Sequence, residues 1–243
     1  HRAFYVTGSS GNVVTQSMMR AAGGEAALLE SGADYNTISQ STMTSADAGR
    51  HALYIQASSS ITVSGSYVQG AGAAIIYGAT GTIIQNSVLV ATAAADIGLK
   101  LTWNSVNLTV SSSTISGGIG GSAIYLDEGN TGAIDLSSNT ITSTATVGSP
   151  YYGLLISTQG AGGVFAGLTI TSMTFLAPLP AGATAIHFLG GTFLSTFTSV
   201  GFNSSNIGAN INAKPLDPSS TIWMLSPAGA RTGVQYANDP NEV

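Results

Sequence analysis

Residues 52–89 read ALYIQASSSITVSGSYVQGAGAAIIYGATGTIIQNSVL and contain two short phrases, each present twice. The first phrase is a four-residue strand with apolar second and fourth places, ALYI from Ala52 and AAII from Ala73. The second has six residues and begins and ends on an apolar one, VSGSYV from Val63 and IQNSVL from Ile84. Apolar residues that alternate with period two, separated by Gly, Ser and Asn, are typical of short β-strands joined by turns.

Both phrases recur along nearly the whole chain. The six-residue phrase starts, at intervals of 21 to 34 residues, at Val14, Ile38, Val63, Ile84, Val110, Leu136, Ile170 and Phe197. The four-residue strand ends at Val6, Leu29, Ile55, Ile76, Leu101, Leu126, Ile156 and Phe188, and TIWM, ending at Met224, predicts a ninth copy. A unit of this length cannot bury a core alone and must stack on its neighbours. The sequence therefore predicts an all-β chain, a right-handed parallel β-helix (β-solenoid) of about nine coils.

Stacking in register places like residues above one another. The inward row of the first strand is predicted to consist of Phe4, Ala27, Leu53, Ala74, Leu99, Ile124, Leu154, Ile186 and Ile222. Turn residues Asn86, Ser113 and Asn139 are expected to form side-chain hydrogen bonds between coils. One segment, RAAGGEAALLE at 20–30, departs from the strand pattern and has a helical composition.

The phrases LSSNTI from Leu136 and AIYL from Ala123, at a spacing of about 25 residues, resemble the pectin-lyase-like superfamily of right-handed β-helices. In character they are closest to autotransporter-passenger and polymorphic-membrane-protein adhesin repeats. The superfamily also includes polysaccharide lyases, polysaccharide hydrolases and phage tailspikes. The resemblance implies the fold and leaves the function open, because the repeats encode stacking and not chemistry.

Composition excludes several classes of function. Only 7% of the residues are charged, against about 25% in a typical soluble protein, and the net charge is −5. The six basic residues are scattered, so nucleic-acid binding is not expected. There is no cysteine and hence no disulfide or thiolate metal site, and no apolar run reaches the length of a membrane span. We expect an extracellular or cell-surface protein, of bacterial type, that needs no cofactor.

The chain is predicted to form a single domain over residues 1–243, with longer loops from about residue 142 and a C-terminal tail at 232–243. The repeat begins at Ala3, so no amphipathic helix covers the first coil. An uncovered coil leaves unpaired strand edges, and we expect another chain to cap it.

The outward third place of the first strand forms a column that is mostly apolar, interrupted by Lys100. Its other members are Tyr5, Leu28, Tyr54, Ile75, Tyr125, Leu155, His187 and Trp223. Exposed apolar stripes mark binding surfaces. The stripe is expected to contact another copy of the chain, end to end or laterally, or a surface polysaccharide. A loop of the same chain folded over the stripe is the alternative.

Asp127, Glu128 and Asp135 lie in the densest cluster of side-chain oxygens, LDEGNTGAID. Hard cations such as Ca²⁺ prefer oxygen ligands. The spacing is not that of a known calcium loop, however, so a solvated turn is favoured and no metal is assigned. Asp135 is also expected to face outward near Tyr125 and Lys100.

The leading functional hypothesis is a non-enzymatic structural or adhesive protein, either a surface adhesin segment or a self-assembling filament subunit. Low charge, the apolar stripe and the uncovered first coil motivate this hypothesis. The alternative is a polysaccharide lyase, hydrolase or tailspike-like depolymerase, with Tyr54, Tyr125 and Trp223 as stacking platforms for sugar rings. A carbohydrate-binding module without turnover is the third possibility.

Overall fold

The computed structural model describes residues 1–94, 96–118, 120–127, 133–143, 151–157, 164–176, 184–189, 192–203, 210–211, 222–225 and 235–236. These residues form β-strands and turns and contain no helix, so the predicted all-β parallel β-helix is confirmed. None of them lies in a helix able to span a membrane. Glu128, most of the predicted longer loops and most of the tail at 232–243 lie outside the described residues.

The strands follow one another in groups of three. Those of the first four coils are β1 (Phe4–Thr7), β2 (Val13–Thr15), β3 (Met18–Ala21), β4 (Ala27–Glu30), β5 (Thr37–Ser39), β6 (Thr42–Ser45), β7 (His51–Gln56), β8 (Thr62–Ser64), β9 (Tyr67–Gly70), β10 (Gly72–Tyr77), β11 (Ile83–Gln85) and β12 (Val88–Ala91). The next are β13 (Leu99–Thr102), β14 (Leu108–Ser111), β15 (Thr114–Gly117), β16 (Ser122–Leu126), β17 (Ile134–Ser137), β18 (Thr140–Ser143), β19 (Tyr152–Ser157), β20 (Val164–Thr171) and β21 (Thr174–Leu176). The last are β22 (Thr184–Leu189), β23 (Thr192–Asn203), β24 (Asn210–Ile211), β25 (Ile222–Leu225) and β26 (Gln235–Tyr236).

Each coil contributes one strand to each of three parallel stacks. The first stack is an eight-stranded sheet in the order β1-β4-β7-β10-β13-β16-β19-β22. The second stack runs from β2 to β20 and the third from β3 to β21, one strand per coil. The long strand β23 pairs with both β20 and β21, and so joins the second and third stacks into one 16-stranded sheet.

The segment 20–30 is extended, and the helical expectation for it is wrong. Strand β3 ends at Ala21 and β4 begins at Ala27. Between them lie Gly23 and Gly24, of which Gly24 has a φ of +108°, a value that a right-handed helix does not allow. Ala27 and Leu29 are then fully buried beside the next coil, so stacking overrides the local helical preference.

The core is the row of inward side chains that the register aligns. The inward row of the first stack is confirmed from Phe4 to Ile186, and it runs through Leu53, Ala74 and Leu99. These last three side chains are fully buried. The ninth member, Ile222, differs from the prediction because β25 pairs with β23, where Ile222 is the partner of Phe197.

A ladder of serine hydroxyls, ended by an asparagine amide and buried except at its first member, stabilises the turn between the second and third stacks. Its members lie one above another: Ser17, Ser41, Ser66, Ser87, Ser113 and Asn139. The backbone N–H of each of the first five donates to the side-chain oxygen of the next, over 3.0–3.2 Å. Each serine hydroxyl also donates to the carbonyl two residues before it. The ladder satisfies polar groups that a buried turn would otherwise leave unpaired.

The predicted intercoil role of turn residues is correct for Ser113 and Asn139 and misplaced by one residue for Asn86. Asn86 is exposed and occupies the preceding turn position, with a φ of +51°. Its neighbour Ser87 is the ladder residue. Asparagine tolerates the left-handed region better than most residues, which accounts for Asn86 at this place.

Candidate functional site

The outward side of the eight-stranded sheet carries two columns of side chains, which together we call the outer face. The register aligns the first column as Tyr5, Leu28, Tyr54, Ile75, Lys100, Tyr125, Leu155 and His187. The second column lies two residues further along each strand and contains Thr7, Glu30, Gln56, Tyr77 and Thr102. Asp127 continues the second column directly after β16. The outer face therefore mixes aromatic rings with hydrogen-bonding and charged groups.

The first column is not a continuous exposed stripe. Leu28 is 1% exposed and Ile75 is 9% exposed, whereas Tyr5 is 47% exposed. Leu28 lies between Tyr5 and Tyr54, and Ile75 lies between Tyr54 and Lys100. The accessible parts of this column are therefore its tyrosines, its polar residues and, in part, Leu155.

Trp223, the predicted ninth member, lies outside the column. Its strand β25 pairs with β23, which belongs to the 16-stranded sheet. The phrase TIWM has the right apolar pattern, but the chain at this point extends a different sheet.

Three aromatic rings meet at the edge of the outer face, where β10 and β13 end. The rings of Tyr77 and Trp103 are nearly parallel, with 7° between their planes and 5.7 Å between their centroids. Tyr54 approaches Tyr77 edge to face at 6.5 Å. We call Tyr54, Tyr77 and Trp103 the aromatic platform. Sequence reasoning missed Tyr77 and Trp103 because each lies beyond the fourth place of its phrase.

Trp103 has an unusual backbone. It directly follows β13 and has a φ of +57°, in the left-handed region that bulky residues avoid. The residue at the same turn one coil earlier is Gly78, which has a φ of +58°. Its backbone N–H donates a hydrogen bond to the carbonyl of Thr102 in the next coil. The indole is nevertheless 62% exposed, so burial in the core does not account for tryptophan at this place.

Polar groups of two neighbouring coils meet next to the platform. The Tyr125 hydroxyl donates to Oδ1 of Asp127 at 3.2 Å, and the Thr102 hydroxyl donates to Oδ2 at 3.0 Å. The Lys100 ammonium lies 5.5 Å from the centroid of the Tyr125 ring, within range of a cation–π contact. We call Lys100, Thr102, Tyr125 and Asp127 the polar cluster. Their positions are set by β13 and β16, which pair in register.

A second aromatic contact lies further along the outer face. The His187 imidazole stacks on the ring of Tyr152, with 4.8 Å between centroids and 29° between planes. Burial lowers the pKa of His187. Its imidazole is therefore favoured in the neutral form, which accepts a hydrogen bond as well as donating one.

Two ion pairs join the first three coils at one end of the outer face. The buried Glu25 carboxylate accepts a hydrogen bond from Nε of Arg2 at 2.9 Å and pairs with Arg50 at 3.4 Å. Burial alone would raise the pKa of Glu25, but the hydrogen bond from Arg2 and the positive charges beside it lower the pKa overall. The guanidinium groups of Arg2 and Arg50 are thus both paired with Glu25.

His51 opens β7 on the same sheet and faces Gly72 across the pair. A Cβ at Gly72 would come within 2.5 Å of the His51 ring, so the glycine leaves the space that the imidazole occupies. Burial, and after it the Lys100 ammonium, lower the pKa of His51 to about 4, against an opposing effect of Glu25. His51 is therefore neutral at ordinary pH.

The oxygen cluster predicted from LDEGNTGAID is divided between two sheets. Asp127 follows β16 of the eight-stranded sheet, whereas Asp135 lies in β17, between Thr109 and Thr169 of the 16-stranded sheet. Asp135 is therefore not beside Tyr125 and Lys100, contrary to the expectation. Within the described part of the chain, no three His, Cys, Asp or Glu residues are grouped so as to hold a metal ion.

Comparison with known proteins identifies the fold. The sequence model of the family described as "Right handed beta helix region" matches residues 2–175. No curated protein matches the chain. Three solved structures match, at 10–15% identity.

The first is a DFA-IIIase from Arthrobacter chlorophenolicus A6 in complex with GF2, with a TM-score of 0.49, 15% identity, and coverage of 96% of this chain and 52% of the other. The Dettilon tailspike protein has a TM-score of 0.38 and 10% identity, and the match covers 97% of this chain and 63% of the other. An endo-xylogalacturonan hydrolase from Aspergillus tubingensis has a TM-score of 0.35 and 11% identity, with coverage of 94% and 86%. This chain thus spans about half the length of the DFA-IIIase chain, and the likeness is one of fold.

These comparisons contradict the prediction of a non-enzymatic adhesin segment or filament subunit. Two of the three matched structures are named as enzymes, and the third is a tailspike. Low charge, an apolar stripe and an uncovered first coil follow from how coils stack and do not define what the outer face does.

Proposed function

The chain belongs to the right-handed β-helix family, and on that premise we propose that it is a polysaccharide-cleaving enzyme whose substrate lies along the outer face. The activity is cleavage of a glycosidic bond. The proposal rests on the described residues of the outer face and takes no chemistry from the matched structures.

The polar cluster is the single observation that carries the proposal. It places a carboxylate, a phenol, a hydroxyl and an ammonium group together on the outward side of one sheet, where Lys100 and Tyr125 are partly exposed and Thr102 and Asp127 are 9% and 6% exposed. Glycosidic-bond cleavage uses a carboxyl group as general acid or base, at a site that also holds the sugar by hydrogen bonds. Asp127 is fixed at both oxygens, which orients its carboxylate before substrate arrives.

The aromatic platform adjoins this cluster through shared strands. Tyr77 pairs in register with Thr102, whose hydroxyl bonds Asp127, and Trp103 is the next residue. A sugar ring on the platform would therefore place the following glycosidic bonds over the polar cluster. Parallel strands about 4.8 Å apart give an extended polymer a regular series of contacts.

Each residue of the cluster has a distinct role in this proposal. Asp127 exchanges the proton with the glycosidic oxygen or with water. Tyr125 and Thr102 hold its carboxylate by hydrogen bonds, and Lys100 binds sugar hydroxyls or a sugar ring oxygen beside Tyr125. The surface polysaccharide is then the partner, and we place the protein outside the cell or at the cell surface, where such polymers occur.

A cleavage assay tests the proposal. The purified chain is incubated with a panel of neutral and acidic polysaccharides, and new reducing ends and unsaturated products are measured. We expect new ends from at least one polymer. Asp127→Asn, which keeps the shape of the side chain, should lower the rate at least a hundredfold.

Asp135→Asn is the matched control, since this aspartate lies on the other sheet. It should retain the full rate, and both variants should keep the wild-type circular dichroism spectrum. An unchanged rate in Asp127→Asn, a loss in Asp135→Asn, or binding of every polymer without cleavage of any would each overturn the proposal.

A further inference from the structure

Resting on the proposed function, we infer that the substrate is a neutral polysaccharide, that it is hydrolysed, and that Trp103 is the specificity-determining residue that stacks on its sugar ring. Charge and ring geometry point to this inference independently.

Charge on the outer face opposes a polyanion. Its described acidic residues are Glu30 and Asp127, and its described basic residue is Lys100. Arg2 and Arg50 are both paired with Glu25, and the chain as a whole has a net charge of −5. A polyuronate carries about one negative charge per sugar and needs a surplus of positive charge along its path. The described part of the outer face has no such surplus.

The aromatic platform suits an uncharged sugar. The Tyr77 ring covers one side of the Trp103 indole, and the indole remains 62% exposed. The face of an aromatic ring carries partial negative charge, and the C–H groups on the flat side of a pyranose carry partial positive charge, so the two attract when they stack. A carboxylate brought to the same indole face would be repelled.

The charge state of the substrate decides the reaction. Elimination breaks the glycosidic bond by removing a proton from the carbon next to a carboxyl group, and neutral sugars have no such acidified proton. A neutral polymer is therefore cleaved by hydrolysis. The bond between the anomeric carbon and the glycosidic oxygen breaks and the hydroxyl of water joins that carbon. Asp127, as the carboxylate, accepts the proton of the attacking water, the leaving oxygen takes a proton from solvent, and Asp127 then returns its proton to solvent.

Tryptophan fluorescence gives a direct test, because the chain has two tryptophans and Trp223 lies on the other sheet. In Trp223→Phe, Trp103 is the single reporter. The variant is titrated with soluble β-glucan, galactan, mannan and fructan, and with polygalacturonate as the acidic probe, at low and at high salt. We expect a saturable change with a neutral polymer whose midpoint does not depend on salt.

Matched variants separate stacking from general surface effects. Tyr35 also has a turn backbone, with a φ of +54°, and is 69% exposed, but it lies beyond the outer face. Measured by calorimetry, Trp103→Ala should bind the neutral polymer about tenfold more weakly, and Tyr35→Ala should bind it as the wild type does. Cleavage of that polymer should yield reducing ends without unsaturated products.

The outcomes distinguish this inference from the proposed function. If polygalacturonate is the polymer bound and cleaved, and Asp127→Asn abolishes the cleavage, the proposed function stands and the neutral-substrate inference is wrong. If a neutral polymer binds equally well to Trp103→Ala and Tyr35→Ala, the role of Trp103 is wrong. If no polymer is bound or cleaved, the proposed function fails and the inference fails with it.

Discussion

The hydroxyl of Tyr125 donates a hydrogen bond to Oδ1 of Asp127, two residues further along the chain, at 3.2 Å. Both side chains lie on the outside of the eight-stranded sheet, where successive outward residues are two apart. The same Tyr125 ring receives the Lys100 ammonium on its face. One tyrosine thus links the carboxylate and the ammonium group of the polar cluster.

Removing this hydroxyl should slow the reaction and spare binding. In Tyr125→Phe the ring and its contact with Lys100 remain, but Asp127 loses a donor. A hydrogen bond to a charged group contributes about 1.5–3 kcal/mol, so we expect kcat to fall tenfold or more with little change in KM. Steady-state kinetics on the cleaved polysaccharide measures the split. A change confined to KM would mean that Tyr125 binds sugar and does not position the carboxylate.

The serine ladder should contribute measurably to stability. Ser66→Ala removes the acceptor for the Ser41 N–H and the donor to the Ser64 carbonyl in a buried turn. We expect the free energy of unfolding to fall by about 1–3 kcal/mol, as measured by urea denaturation. Ser64→Ala, whose side chain points outward two residues earlier, should change it by less than about 0.5 kcal/mol. Equal effects of the two substitutions would contradict this role of the ladder.

One buried hydroxyl in the described residues should be replaceable with a gain in stability. Thr82 is 1% exposed, and its Oγ1 has no hydrogen-bond partner, whereas Ile61 occupies the same place one coil earlier. Thr82→Val keeps the shape and removes the unpaired group. We expect the free energy of unfolding to rise by about 1 kcal/mol, read from the thermal or urea midpoint. A loss of stability would indicate that the hydroxyl is satisfied in solution.

Stability should fall on mild acidification because of His51. Its pKa in the folded chain is about 4, below the ordinary value of 6.5, so the unfolded chain binds the extra proton between these values. The contribution of neutral His51 to the free energy of unfolding is fully present above pH 6.5. It is lost as the pH falls towards 4, and the loss is at most about 3 kcal/mol.

Urea denaturation of wild type and His51→Asn across pH 5 to 7 measures this effect. The difference in free energy of unfolding between wild type and His51→Asn should shrink as the pH falls, because only the wild type loses the contribution of neutral His51. His187, whose pKa burial also lowers, is present in both proteins and cancels in the difference. Parallel pH profiles would show that His51 is freely protonated in the folded chain.

The repeat phrases were sufficient to predict the fold, because inward side chains must obey the register. Leu53, Ala74 and Leu99 lie above one another, as their places in the phrase require. Local composition failed at 20–30, where burial of Ala27 and Leu29 outweighs helical propensity. It also failed at Ile222, since the apolar pattern does not specify which sheet a strand joins.

The candidate site was less predictable, because outward residues are not constrained by stacking. The sequence predicts Tyr54 and Tyr125 on the outer face correctly, but Leu28 and Ile75 of the same column are buried. Trp103 belongs to a turn and carries no pattern in the sequence. The oxygen-rich segment contains both Asp127 and Asp135. Asp127 follows β16 and Asp135 lies in β17 of the other sheet, so composition alone does not show which of the two lies on the outer face.

The most direct test of the account is a crystal structure of Asp127→Asn with an oligosaccharide of the polymer that the wild type cleaves. We predict sugar density along the outer face, with one ring in van der Waals contact with Trp103 and a glycosidic bond within hydrogen-bonding distance of residue 127. Density on the 16-stranded sheet, or on the outer face but away from both residues, would contradict the account.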